Sequence, residues 1–129
     1  MNLQIALGVN ENKEFSNNHY GDSHYFLIYE WEKDKFQLKE ERINKKFNEE
    51  KHGDEKKAQH IASQLPQVPI LVAKVFGPNI VKMRKKYVPV ITRLDSVERT
   101  LQKLATMFNE LSMAIKKEGN KDIIYLKEE

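Results

Sequence analysis

The chain contains no cysteine. That single absence removes disulfides, thiolate nucleophiles, thiolate-held iron–sulfur clusters and cysteine zinc sites. No apolar run approaches the ~20 residues that cross a bilayer. The opening stretch, residues 1–7, lacks the basic start and long apolar segment of a signal peptide. The expectation is a cytoplasmic protein with no membrane association. There is no arginine-rich tract and no interleaving of aromatic and basic residues, so nucleic acid is not the expected partner. No His-x-x-x-His or paired-carboxylate spacing backs any of the histidines, which argues against a mononuclear zinc or calcium site. No recognisable catalytic apparatus is left, and the chain is expected to bind or carry something rather than convert it.

What is present fits one α/β domain. At 129 residues the chain has the usual size of a single domain. It can bury roughly two-thirds of its unfolded surface in one core, without a metal or disulfide. Net charge is +3 and uneven: residues 1–65 hold 10 Lys/Arg and 12 Asp/Glu, residues 66–129 hold 12 and 7. A basic second half either favours an anionic ligand or is simply a solvated surface.

Leu3, Ile5 and Leu7 alternate as in a strand that Gly8 is expected to end. A polar loop follows over residues 9–22, a length that is uncommon inside a compact domain and often functional. His24 to Trp31 reads as a second strand, apolar enough to be buried on both faces. A third runs from Phe36 to Ile43, with Phe36 and Leu38 on one face. After a charged loop, Gly53 to Leu65 has helical spacing (Ala58, Ile61, Ala62, Leu65) and Pro66 stops it. Pro69 to Ala73 is a short apolar strand. Gly77-Pro78 opens a helix expected to reach Lys86. Tyr87 to Thr92 is a fifth strand, which Pro89 pushes toward a sheet edge. Asp95 with Glu98 has the form of a capping box for one long helix striped by Val97, Leu101, Leu104, Ala105, Phe108, Leu111 and Ile115. Gly119-Asn120 ends it, and residues 122–126 make either a sixth short strand or a partner-binding tail.

The order βββαβαβα implies parallel strands with right-handed crossovers in the second half. Strands one, three, four and five then point their carboxyl ends to one edge, where ligands of open α/β sheets bind. The loops 9–22, 44–53, 74–79 and 92–95 share that edge.

Those loops also carry a resemblance. His19-Tyr20-Gly21-Asp22-Ser23-His24-Tyr25-Phe26-Leu27-Ile28-Tyr29 resembles the His-Phe-Gly-x-Ala-x-x-Phe-x-Ile-Tyr pattern of the dinitrogenase iron–molybdenum cofactor biosynthesis family. Val75-Phe76-Gly77-Pro78-Asn79 resembles its Gly-x-Gly-Pro-x-Ala turn, with Tyr20, Ser23 and Val75 replacing the usual Phe, Ala and Gly. The resemblance covers residues 1 to 105 and leaves 106–129 as a C-terminal extension of the same domain. It implies a ribonuclease-H-like three-layer α/β fold with a mixed five-stranded sheet in the order 3-2-1-4-5. It further implies a place in nitrogenase cofactor assembly, binding the iron–molybdenum cofactor or its iron–sulfur precursor between metal-cluster donor and acceptor proteins. Some members occur without nitrogenase, so the fold is implied more firmly than the ligand.

The candidate cofactor-binding residues are His19, Tyr20, Gly21, His52, Gly77, Pro78 and Asn79. His19 is the candidate metal ligand, because a neutral imidazole in an accessible polar loop suits iron and other transition metals. The alternative is a histidine that bonds the backbone and shapes the loop. His52 is either a second ligand or an exposed loop residue; His24 and His60 read as structural. Gly77-Pro78-Asn79 is either an anion-favouring helix start or an ordinary turn. Lys82, Arg84, Lys85 and Lys86 beyond it are a solvated helix end or an attraction for an anion. The aromatic run Tyr25 to Tyr29 with Trp31 belongs to the core.

Three classes of function follow. The first is a binding and carrier protein for a metal–sulfur cofactor. The second is an interaction or regulatory module of the same fold that binds no cluster, with an exposed sheet edge that would allow homodimerisation. The third, a magnesium nuclease drawing on Asp22, Asp54 and Asp95, lacks an acidic residue at the centre of any strand.

Overall fold

The computed structural model describes residues 3–45 and 54–127. Six strands form one sheet: β1 Gln4–Val9, β2 Tyr25–Glu32, β3 Lys35–Ile43, β4 Ile70–Ala73, β5 Val88–Thr92 and β6 Ile124–Leu126. Their order is β3-β2-β1-β4-β5-β6. The meander β1–β2–β3 is antiparallel, and β4, β5 and β6 add to β1 in parallel. The expected order 3-2-1-4-5 is therefore present, but the sheet has six strands rather than five, because the tail pairs with β5.

That sixth strand corrects the placing of Pro89. β5 is interior, not an edge. The proline is tolerated for a geometric reason. Val88 N–H donates to Pro69 O at 2.9 Å, toward β4. The next residue's nitrogen therefore faces the other side, and β6 pairs only from Val90 onward. The missing N–H of Pro89 falls where no partner strand runs.

Strand alternation builds two cores, one on each face. Ile5, Leu7 and Val9 of β1 point to one face and join Leu27, Val72, Val90, Leu104, Leu111 and Leu126. Ala6 points to the other, with Phe26, Ile28, Leu71, Ile61, Leu65, Met83 and Tyr87. Helices α1 (Asp54–Gln64) and α2 (Ile80–Met83) cover the second face, and α3 (Val97–Ala105) and α4 (Phe108–Lys116) cover the first. The result is the expected three-layer arrangement. β2 is interior, with Phe26, Leu27 and Ile28 all buried. The register slips between Ile28 and Tyr29, where β3 carries one extra residue. Phe36 and Leu38, two residues apart before the irregularity, lie on one face of β3, where Phe36 is buried and Leu38 stays 48 % exposed.

Four further expectations are corrected. Gly8 does not end β1; it lies inside the strand, for a reason that belongs to the site. The helix expected from Pro78 to Lys86 is a single turn, Ile80–Met83, since Tyr87 must already be in place to lead into β5. The long last helix is broken at Thr106 and Met107. Thr106 N–H and Met107 N–H turn back to Lys103 O and Leu104 O, three residues earlier, and the break sets the Phe108 ring 4.7 Å from Trp31. Its cap is Ser96, whose Oγ accepts from Arg99 N–H at 3.1 Å, not Asp95. Asp95 instead pairs with the Arg99 guanidinium at 3.0 Å.

Candidate functional site

Tyr20 anchors the end of the loop after β1 to the sheet. Tyr20 is wholly buried; its ring stacks between Phe26 and Phe76, with centroids 5.1 and 5.2 Å away. Its hydroxyl donates to Ala6 O at 3.0 Å. Burial lifts the phenol well above its ordinary titration range, with Tyr87 nearby adding to the effect. Around this anchor, Tyr20–Asp22 makes a single 3₁₀ turn. Asp22 N–H donates to His19 O at 2.8 Å, and the Ser23 hydroxyl donates to Tyr20 O at 2.7 Å.

Gly8 lets the turn lie flat on β1. A Cβ at position 8 would come within 2.9 Å of Tyr20 Cδ1 and would also meet Ser23 Oγ. Asn44, at the end of β3, closes the other side: its Nδ2 donates to both Gly21 O and Ser23 O at 2.8 Å. Gln64 Nε2 in turn donates to Asn44 Oδ1 at 3.0 Å, tying α1 to the turn.

Above this base sits His19, exposed. Its ring lies directly against Gly77. A Cβ on Gly77 would sit 2.7 Å from both Cε1 and Cγ of the imidazole and would meet Nδ1 as well. Gly77 has φ +73°, a conformation that strongly favours glycine. Nε2 is on the ring's far side from this turn. The imidazole makes no side-chain cap bond to the 3₁₀ turn. The two motifs that the sequence separates by almost sixty residues thus meet through van der Waals contact between a ring and a bare Cα.

The seven sequence candidates divide accordingly. His19 and Gly77 are brought together. Pro78 is exposed beside them and Gly21 half-buried. Tyr20 lies underneath, with no surface for a ligand to touch, and acts as the anchor. Asn79 is 3 % exposed; its Oδ1 has no hydrogen-bond partner among the described residues, and the side chain does not cap α2. The N–H groups of Gly77 and Asn79 have no acceptor among the described residues. A four-residue α2 has too few aligned peptides to act as a helix dipole, so the turn offers individual N–H groups and nothing more. His52 lies outside the described residues.

The remaining candidates are engaged elsewhere. His24 caps the junction of strands, its N–H on Val9 O and its carbonyl accepting from Asn44 N–H. His60 Nε2 is 2.6 Å from Lys45 O. Arg84 bonds Lys121 O through Nε at 2.6 Å, and Lys121 N–H returns to Arg84 O at 2.7 Å. Lys82, Lys85 and Lys86 rim a shallow groove of about 160 Å³ floored by Met83 and Tyr87. Among the described residues no three His, Asp or Glu side chains gather to hold a metal ion, and no helix is long and apolar enough to cross a membrane.

Sequence reasoning missed Gly8 and Asn44. A glycine inside an alternating strand is the available signal for close backbone approach. Asn44 gave none, since an asparagine after a strand reads as any turn residue.

The family model for the dinitrogenase iron-molybdenum cofactor matches residues 1–107. The crystal structure of a candidate dinitrogenase from Methanocaldococcus jannaschii has the same fold, with TM-score 0.56 and 20% identity, over 82% of this chain and 90% of that one. No curated protein matches by sequence.

Proposed function

The chain belongs to the dinitrogenase iron-molybdenum cofactor family, and from that premise we propose that it binds and hands on an iron–molybdenum-type or related metal–sulfur cluster without converting it. The observation that carries the reading is the exposed His19 ring set against Gly77. An imidazole held by a fixed turn is a ready ligand for a transition-metal centre, and Nδ1, not Nε2, is the ring nitrogen nearest Gly77. The N–H of Gly77, on the turn that the ring touches, would add a donor to the sulfides of an anionic cluster.

The donor set suits transfer. With no cysteine in the chain, the protein offers nitrogen but not thiolate, so a cluster would be held by one coordinate bond and a few hydrogen bonds. Such a hold is exchangeable with a thiolate-bearing acceptor, which is what a carrier between donor and acceptor proteins needs. Tyr20, Gly8 and Asn44 serve as positioning residues that fix the turn bearing His19.

The test is anaerobic titration of the full chain with isolated iron–molybdenum cofactor, read by visible absorption. Saturable binding that falls away in His19→Ala is the expected result. Unchanged binding in that variant would remove His19 from the mechanism. No binding by the parent chain would leave the interaction-module reading, to be followed by co-purification with and without residues 119–129.

A further inference from the structure

The groove of about 160 Å³ between α1 and α2 has an apolar floor, Met83 and Tyr87, and a wall on α1 made by Gln59 and Ala62. The small side chain of Ala62 leaves the gap open. The floor is fixed: Tyr87 N–H donates to Met83 O at 2.8 Å, and the Tyr87 hydroxyl donates to Leu65 O at 2.9 Å, just past the end of α1. A cavity of roughly 150 Å³ takes one benzene-sized group, whereas small-molecule sites begin at roughly 300 Å³. The groove is therefore the size of one apolar side chain.

Its other wall is basic. Lys82, Lys85 and Lys86 line it, at helical spacings of three and four that put them on one side of the turn. Arg84, between them, is outside the lining and is held by Lys121 O. The Lys86 ammonium lies 5.3 Å from the centroid of the Tyr87 ring, which lays its stem along the floor. Lys82 is half-buried and Lys85 exposed. Neither makes an ion pair with Asp or Glu among the described residues.

We propose that this groove docks an acidic segment of a partner protein, which seats one leucine-sized side chain on Met83 and Tyr87 and sets its carboxylates against Lys82 and Lys85. The lysines select the charge of the occupant and the floor selects a protein. A nucleic acid would need a longer basic track than one helical turn supplies, and a bilayer surface is too flat to reach a recessed floor. The proposal goes beyond the metal-cluster reading and uses none of the residues around His19. At 1.5 Å of rise per residue, α2 carries the chain only about 6 Å from Asn79 to Met83. A partner seated in the groove therefore stands beside the turn that His19 touches.

The full chain, without any cluster, would be titrated into a fluorescein-labelled peptide of glutamates around one central leucine, read by fluorescence anisotropy and amide NMR. Saturable binding is expected, with shifts centred on Gln59, Ala62 and residues 82–87. Replacing the peptide's leucine by glycine should weaken binding about tenfold. Lys82→Gln and Lys85→Gln should weaken it about threefold each and about tenfold together, while Lys35→Gln on β3 leaves it unchanged. Ala62→Leu, its fold checked by circular dichroism, should fill the groove and cost about tenfold. His19→Ala should bind the peptide as the parent does, which separates this result from the fate of the cluster titration. A peptide that fails to bind the parent, equal binding of the leucine and glycine peptides, or lysine variants that bind as the parent does would overturn the proposal. So would tighter binding to phosphatidylserine vesicles or duplex DNA than to the peptide.

Discussion

The contact between His19 and Gly77 can be measured as a coupling energy. Gly77→Ala acts in two ways. It places an L residue at φ +73°, which costs about 1–2 kcal/mol. It also puts a methyl group 2.7 Å from Cγ and Cε1 of His19, so the ring must leave its present rotamer, at about 0.5–1.5 kcal/mol. The total is about 1.5–3.5 kcal/mol, a fall in melting temperature of roughly 5–20 °C for a domain of this size. Gly119 supplies the control. It has φ +80°, and an added methyl there would meet nothing within 4 Å, so Gly119→Ala should show only the backbone part. Combining Gly77→Ala with His19→Ala removes the ring and should return the cost of the glycine change to that of Gly119→Ala. The expected coupling is about 1 kcal/mol, read by urea unfolding of the four variants in a double-mutant cycle. If Gly77→Ala costs no more than Gly119→Ala, or if its cost is the same with and without His19, the ring does not rest on the turn and the proposed site has no fixed ligand.

The local patterns of the chain were legible where one physical rule decided. Alternation in β1, the apolar run of β2 and the apolar block Ile70–Ala73 reported themselves because a half-buried or fully buried strand has few other solutions. The common edge for the loops 9–22, 74–79 and 92–95 followed from strand directions alone; residues 46–53 of the fourth loop lie outside the described residues. What failed was everything set by a distant partner. Ile124–Leu126 is too short to declare itself, and becomes a strand only because β5 presents an open edge and Arg84 holds Lys121. The apolar stripe runs unbroken from Val97 to Ile115, so nothing local announces the break that turns Phe108 onto Trp31. Pro89 was misplaced because its meaning depends on how far β6 pairs. In the site, the motifs His19-Tyr20-Gly21 and Gly77-Pro78-Asn79 were both visible. Their division of labour was not: whether a residue in such a motif faces a ligand or the core depends on the sheet beneath, and Phe26 and Phe76 leave a slot that only Tyr20 fills.

Three other outcomes are expected. Asn44→Ala removes both bonds that hold the Gly21 and Ser23 carbonyls; it should cost about 1–2 kcal/mol and speed hydrogen exchange at residues 21–23, with β4 unchanged. Leu104→Ala opens the core under α3, where the side chain is fully buried, and should cost about 2–5 kcal/mol in urea unfolding. Stability should also fall in alkali, and the sign can be worked out. Burial raises the Tyr20 phenol well above its ordinary value and pushes Tyr87 up to about 12. Both hydroxyls donate to buried carbonyls, Ala6 O and Leu65 O, so the folded state holds these protons when the unfolded chain has released them. The contribution is complete below about pH 10, where an unfolded tyrosine begins to ionise, and is lost as pH rises through the folded values. Tyr87 is only 2 % exposed, so solvent screens little of its share, and the loss approaches about 2 kcal/mol by pH 12. The Tyr87→Phe variant should lose stability at neutral pH through the unpaired Leu65 carbonyl, yet show a shallower decline between pH 10 and 12. A decline as steep as that of the parent would mean that Tyr87 is not the group that titrates.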